Sequence, residues 1–347
     1  FRDSFVSHHF GFHIWLLPFA WLSDVVTGDL VLGGKAAAVL GMGMTFGLFY
    51  AATRQLGIQQ PLMWTCLLGI LPWHFWMRLS YVRAPLLALP LMLLTLVLLL
   101  RERTWLLCLV AYVFTCVYLG AIVALLVPFS LAAGHLVAGD ATRRTWVMLA
   151  TFLAGLCIGF MGTPYFPENI QFIKIQVFDT GLGAERDVPS EWQSFDGWRL
   201  ATMAAPLAVV WGLALTVRMR SGEPMGGTSI GMLILNVAFL ALTLKARRFV
   251  EYWPVFALIN AADMCRFSAE GLSVFLTGRK EAGRSLAVVL PLVAALMAVP
   301  SLYVARTHYR PPPDAAAIRG AMAYLEANSP DEALVFTEDW DQFPLCF

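Results

Sequence analysis

The sequence predicts an all-α polytopic membrane protein that ends in the start of an α/β extracytoplasmic domain. Three observations carry that reading: too few polar residues to cover a water-facing surface, apolar runs of about membrane-spanning length, and basic residues that alternate with those runs. Of 347 residues, 59% are apolar and 14% charged, with a mean hydropathy of +0.69. Soluble domains carry roughly 45–50% apolar and about 25% charged residues. The net charge of +1 excludes a strongly basic nucleic-acid binder and a polyacidic disordered chain.

A spanning helix needs about 20 apolar residues. The first two apolar windows, 10–22 and 25–32, fall short of that. With Trp15, Pro18, Trp21, Asp24 and Asp29 they read as interfacial or re-entrant helices. Spans follow at 35–52, 61–77 and 84–100. The stretch 104–136 is too long for one crossing, so it reads as two spans with a break near Tyr118 to Ala121. Further spans lie at 146–161, 200–217, 230–244 and 286–304, with a weaker one at 252–264, giving about ten helices by the length criterion. Beyond Pro311 to Pro313, Asp314 is placed to cap a helix through Asn328, and 333–337 reads as a strand. The chain starts at Phe and stops soon after the tail strand, and it reads as part of a longer protein. Four of the six cysteines lie inside apolar spans, so no disulfide framework is indicated.

Charge fixes the sides. If the loop at Arg54 is cytoplasmic, so are those at Arg101/Arg103, Arg143/Arg144, Arg218/Arg220 and 266–284. Together they hold 11 basic residues against five acids, while the rest of the chain holds 13 against 18. This asymmetry follows the positive-inside rule. It leaves 1–34, 78–83, 164–198, 245–251 and the tail from 305 on the extracytoplasmic side.

Four outer segments can carry chemistry. FRDSFVSHHFGFH brings Asp3, His8 and His9 to the surface, and carboxylate with imidazole suits a general base or a divalent metal. WHFWMRLSYVRAP places Arg78 and Arg83 around Tyr81. Guanidinium at the bilayer boundary is costly unless it snorkels or finds a partner such as a lipid phosphate. KARRFVEYWP puts Arg247, Arg248 and Glu251 on the outer side against the charge trend, which points to an anion partner. The alternative is a local salt bridge from Arg247 or Arg248 to Glu251. TPYFPENI and VPSEWQSFDGW supply Tyr165, Glu191 and Trp192, where aromatic faces stack on sugars and carboxylates bond hydroxyls. Aromatic belts at membrane interfaces use the same residues.

Taken in order, FVSHHFGFHIWLLPF, RLSYVRAPLLAL, TPYFPENIQF, SEWQSF, RRFVEYWPVF and DWDQFP resemble the GT-C superfamily of membrane glycosyltransferases. The nearest likeness is to bacterial members with DHH in place of SHH, and a more distant one is to oligosaccharyltransferase catalytic subunits. The resemblance implies a GT-C-like transmembrane domain over 1–304 and a soluble extracytoplasmic domain starting at 305–347. It implies sugar transfer from a polyprenyl-phosphate-linked donor to a glycan, lipid or protein acceptor at the outer face of the bacterial inner membrane, with membrane lipid and no nucleic acid as partners.

The resemblance assigns Asp3, His8 and His9 to catalysis, and Arg78, Arg83, Arg247 and Arg248, with Tyr81 and Glu251 beside them, to the donor phosphate. Tyr165, Glu191 and Trp192 fall to the sugar or acceptor cavity, and Trp340 and Asp341 to the acceptor. Two departures stand out. Ser7 replaces the relatives' Asp, and the Tyr81 loop lacks paired metal-binding acids, so a divalent metal is compatible with the sequence but not required by it. The competing function is a polytopic transporter or lipid flippase. That reading predicts inverted repeats, and no repeat links 35–160 to 200–304.

Overall fold

A computed structural model describes residues 9–58, 60–69, 71, 73–175, 190–220, 222, 224–265, 320, 323–324 and 327–328. The chain divides into two compact units, Phe1–Ala298 and Val299–Phe347. The described residues are helical and contain no strand.

Helix α1, Phe10–Thr27, corrects the expectation of two short interfacial helices. It is one 18-residue helix, long and apolar enough to cross a membrane. The 25–32 window instead straddles a break. Gly28 takes a left-handed φ of 68°, and Asp29 caps the next helix by accepting from the Val31 amide at 2.9 Å. Asp29, one of the residues that made the window look interfacial, is tied back to α1: its amide donates to Thr27 Oγ1, which in turn donates to the Ser23 carbonyl.

Helix α2, Leu30–Gln55, packs on α1 and on α5, Pro85–Leu100. Between them the expected single span at 61–77 is two short helices, α3 (Pro61–Leu68) and α4 (Trp73–Ser80). Proline at position 72 offers no amide to a continuing helix, which accounts for the division. The chain then turns by 106° from α4 into α5, and Pro85 sits at the start of α5 where its missing N–H costs nothing. The turn carries Tyr81 and Arg83, and the Arg83 amide donates to the Tyr81 carbonyl at 2.8 Å.

The break expected near Tyr118 is present. Helix α6, Thr104–Val117, ends at an extended Tyr118. A 3-10 segment, Leu119–Leu125, then leads into α7, Leu126–Ala138. Helix α8, Arg143–Gly162, opens on a Thr142/Thr145 capping box. It lies so close to α6 that a Cβ at Gly155 would strike Ala111 and the Cys108 backbone. A short α9, Glu168–Lys174, precedes α10, Gly197–Arg220.

Helix α11, Gly227–Lys245, crosses α7 where Gly134 meets the backbone of Gly227 and Gly231. Small residues at such crossings let two helices approach closely where no hydrophobic gain holds them together. Asp140 closes one end of this pair, bonding His135 Nδ1 at 2.8 Å and the Gly227 amide at 3.3 Å. A 3-10 turn, Arg247–Glu251, leads to α12, Trp253–Cys265, which is buried from Trp253 through Met264. Trp211 on α10 reaches across to donate to Asn260 Oδ1 on α12 at 2.7 Å.

Five described helices are long and apolar enough to cross a membrane, or six if the bent α4–α5 pair counts as one crossing, and three further apolar helices are shorter. The expected ten spans are therefore not reached among the described residues. The 286–304 span, the 333–337 strand, Asp3, His8, Trp340 and Asp341 lie outside them. Of the tail helix, Gly320, Ala323, Tyr324, Ala327 and Asn328 are described, and all are helical.

Candidate functional site

Three elements far apart in sequence meet at one ionic cluster: the α4–α5 turn, the 3-10 turn Ser190–Trp192 and the 3-10 turn Arg247–Glu251. Arg78, at the end of α4, donates through Nε to Glu251 Oε1 at 2.6 Å and through Nη2 to Glu191 Oε2 at 3.3 Å. Arg83, one turn of chain later, lies 3.6 Å from each glutamate, and Arg248 Nη1 lies 3.6 Å from Glu191 Oε1. Three guanidiniums thus share two carboxylates.

Aromatic faces complete the setting. Arg248 stacks over Trp192 at 4.2 Å and Arg83 over Tyr81 at 4.8 Å, both at cation–π distance. Trp192 is held edge-on by Phe249.

The local salt bridge from Arg247 or Arg248 to Glu251 is not formed. The segment is a 3-10 turn rather than an α-helix, and Glu251 points at Arg78 and Arg83 instead. Arg247 stands apart from the cluster. Its Nε donates to the Ser194 carbonyl at 2.9 Å, and its guanidinium lies 5.8 Å from the Phe195 ring. Tyr165 packs edge-on against Phe10, on the first-loop side.

Tyr118 is the residue that sequence reasoning read only as a helix break. Its hydroxyl accepts from Arg248 Nη2 at 2.8 Å, and its ring stacks on His9 at 5.4 Å. His9 of the first loop is thereby linked to the arginine cluster through one side chain. The signal was present in Tyr-Leu-Gly: a Cβ at Gly120 would lie 2.6 Å from Tyr118 Cζ, so glycine there leaves room for the ring. Tyr118→Phe keeps the ring and removes a hydrogen bond to a buried charge. It is expected to cost about 1.5–3 kcal/mol of stability, measured by chemical unfolding in bicelles, with Gly120→Ala destabilising as well.

The electrostatics favour the charged forms of Glu191, Arg78 and Arg248. Burial opposes charge on Glu191, but the guanidiniums of Arg248, Arg78 and Arg83 outweigh it and hold the carboxyl below the usual carboxylate range. A depressed carboxylate pKa stabilises the fold above about pH 5, and that contribution fades as pH falls through and below the ordinary value near 4.3. The difference in unfolding temperature between wild type and Glu191→Gln is therefore expected to narrow from pH 7 to pH 3. Burial alone would lower the Arg248 pKa, but Tyr118 and Glu191 raise it, so the guanidinium stays charged.

Among the described residues no group of three or more His, Cys, Asp or Glu side chains gathers as a metal site. A metal is therefore not assigned to any of them.

Helices broken at an arginine-bearing corner pack around the charged cluster, and this fold is similar to that of solved oligosaccharyltransferases. Three solved structures that the chain resembles are of oligosaccharyltransferase from Archaeoglobus fulgidus. Against the oligosaccharyltransferase AglB of Archaeoglobus fulgidus in complex with an inhibitory peptide and a dolichol-phosphate, the TM-score is 0.69 at 11% identity, over 98% of this chain and 51% of that one. Against the Archaeoglobus fulgidus oligosaccharyltransferase in the apo form it is 0.59 at 11% identity, over 98% and 52%. With an acceptor peptide containing the NVT sequon tethered by a disulfide, it is 0.58 at 12% identity, over 94% and 50%. The chain spans about half the length of these proteins. At such identities the likeness is one of fold. No family model and no curated protein sequence matches the chain.

Proposed function

We propose that the chain is the membrane core of a glycosyltransferase that moves a sugar from a polyprenyl-phosphate- or diphosphate-linked donor to an acceptor at the extracytoplasmic face of the bacterial inner membrane. The observation that carries this reading is the convergence of Arg78, Arg83 and Arg248 on one spot. Arginine forks match phosphate oxygens in geometry and charge. The solved AglB structure, named as a complex with a dolichol-phosphate and a peptide, supports a lipid phosphate as the ligand of such a cluster.

In this reading Arg78, Arg83 and Arg248 hold the donor phosphate, and Arg247 fixes the neighbouring 194–195 segment. Trp192 and Tyr81 offer stacking faces to the sugar, and Tyr165 extends the cavity toward the first loop. Asp3, His8 and His9 supply the base, while Trp340 and Asp341 read the acceptor.

The acceptor loses a proton to that base and its lone pair forms a bond to the anomeric carbon. The bond from that carbon to the phosphate oxygen breaks with its electron pair staying on the phosphate. The charge growing there faces preorganised guanidiniums, which stabilise it more than water does.

The test is consumption of a radiolabelled polyprenyl-linked sugar by the purified full-length protein in vesicles. Sugar transfer to an added acceptor supports the reading. Movement of the lipid across the bilayer without transfer would replace it with a flippase.

A further inference from the structure

We infer that Glu191 sets the charge class of the donor, matching the arginine site to a phosphodiester with one negative charge, as in a sugar linked through a single phosphate, rather than to a dianionic diphosphate. This rests on the donor-site reading above and concerns only which phosphate that site prefers.

The two glutamates are not equivalent. Glu251 has a side chain only 2% exposed and bonds Arg78 at 2.6 Å, so it is a fixed counter-ion of the fold. Glu191 is 34% exposed and faces three guanidiniums at 3.3 to 3.6 Å, so it lies where a ligand would also contact them. Arg83 has hydrogen-bonding capacity to spare: its Nε and Nη2 are buried and hydrogen-bond nothing among the described residues, Nη2 meeting Glu251 Oε1 only as an ion pair at 3.6 Å. Arg247 makes no ion pair with either glutamate among those residues, its Nε being bonded to the Ser194 carbonyl. Among the described residues, with both carboxylates seated, three guanidiniums leave one positive charge uncompensated.

A phosphodiester neutralises that charge. A diphosphate diester carries one charge too many and meets the Glu191 carboxylate as a like charge beside it, which disfavours binding in a partly desolvated site. Without Glu191 the same arginines carry two uncompensated charges and the preference reverses. The chemistry follows the same sign. When the anomeric carbon–oxygen bond breaks and the acceptor proton passes to the first-loop base, the phosphate leaves as a monoester with one more negative charge than the diester. That product overfills the site and yields it to a fresh diester.

The experiment compares binding of dihexyl phosphate, a monoanion, with that of P1,P2-dihexyl diphosphate, a dianion, to the full chain in nanodiscs by calorimetry at pH 7.5. Wild type is expected to prefer the monoanion by about tenfold, and E191Q to prefer the dianion by about tenfold. E191A, checked by thermal unfolding, repeats the test without a side-chain amide. Wild-type preference for the diphosphate, or an unchanged ratio in E191Q and E191A, overturns this inference and leaves the donor site standing. Failure of wild type to bind either probe, or binding that is indifferent to Arg78→Ala with Arg248→Ala, overturns the donor site itself and the inference with it.

Discussion

Replacing Arg78 and Arg248 together by alanine is expected to lower kcat/KM for the lipid-linked donor by about 10^2- to 10^4-fold. Each guanidinium offers charge-assisted hydrogen bonds, which are worth about 1.5–3 kcal/mol apiece, and every 1.4 kcal/mol is about a factor of ten. The two arginines come from elements 170 positions apart that meet at Glu191, so in the proposed donor site they would reach one phosphate from different elements. Lysine at both positions keeps the charges but loses the planar fork, and an intermediate loss of activity is expected. Steady-state kinetics against donor concentration measures both. Turnover within tenfold of wild type in the double alanine variant would remove these arginines from the donor site.

Glu251→Ala is expected to be the most destabilising single substitution in the cluster, by about 3–5 kcal/mol, because removing one member of a buried ion pair strands the other. Arg78 loses its 2.6 Å partner and retains only Glu191 at 3.3 Å, while Arg83 loses one of its two carboxylates. Glu251→Gln keeps an acceptor for Arg78 Nε and is expected to lose less. Unfolding by denaturant in bicelles, read by circular dichroism, gives both values. A loss below about 1 kcal/mol for Glu251→Ala would mean that the pair is solvated and worth what a surface pair is worth.

Much of the helical order was legible because length and composition decide it in a membrane. The break within 104–136 followed from arithmetic alone: 33 predominantly apolar positions exceed what a hydrocarbon core of about 30 Å can hold in one crossing. The divided helix at 61–77 was hidden because hydropathy averages over Pro72 as though it were any apolar residue. At 10–32 the opposite error arose. Asp29 reads as a residue at the interface, yet its carboxylate caps α2 and its carbonyl and amide bond Ser23 and Thr27.

In the site, Arg78, Arg83 and Arg248 were each legible from charge in an unexpected place, and Glu191 from a carboxylate beside aromatic residues. Their pairing was not, since Glu251 sits three residues from Arg248 and 173 from the Arg78 it bonds. Tyr118 was invisible as a functional candidate because an aromatic at the end of an apolar run is the commonest thing in a membrane sequence.

Twelve of the 16 residues of α5 are buried, so the most apolar of the described helices meets protein rather than lipid along most of its length. Helix α1, on the other side of α2, is the opposite, with Leu17, Trp21, Val25 and Val26 each more than 60% exposed. Bilayer thickness acts on a helix through its lipid-facing side. A thicker or thinner membrane is therefore felt first at α1, while the corner carrying Arg78 and Arg83 rests on a pillar that lipid hardly touches. Reconstitution into bilayers of graded acyl-chain length should shift the tilt of α1 well before it disturbs the arginine cluster, which gives the chain a charged site whose geometry is insulated from the composition of its own solvent.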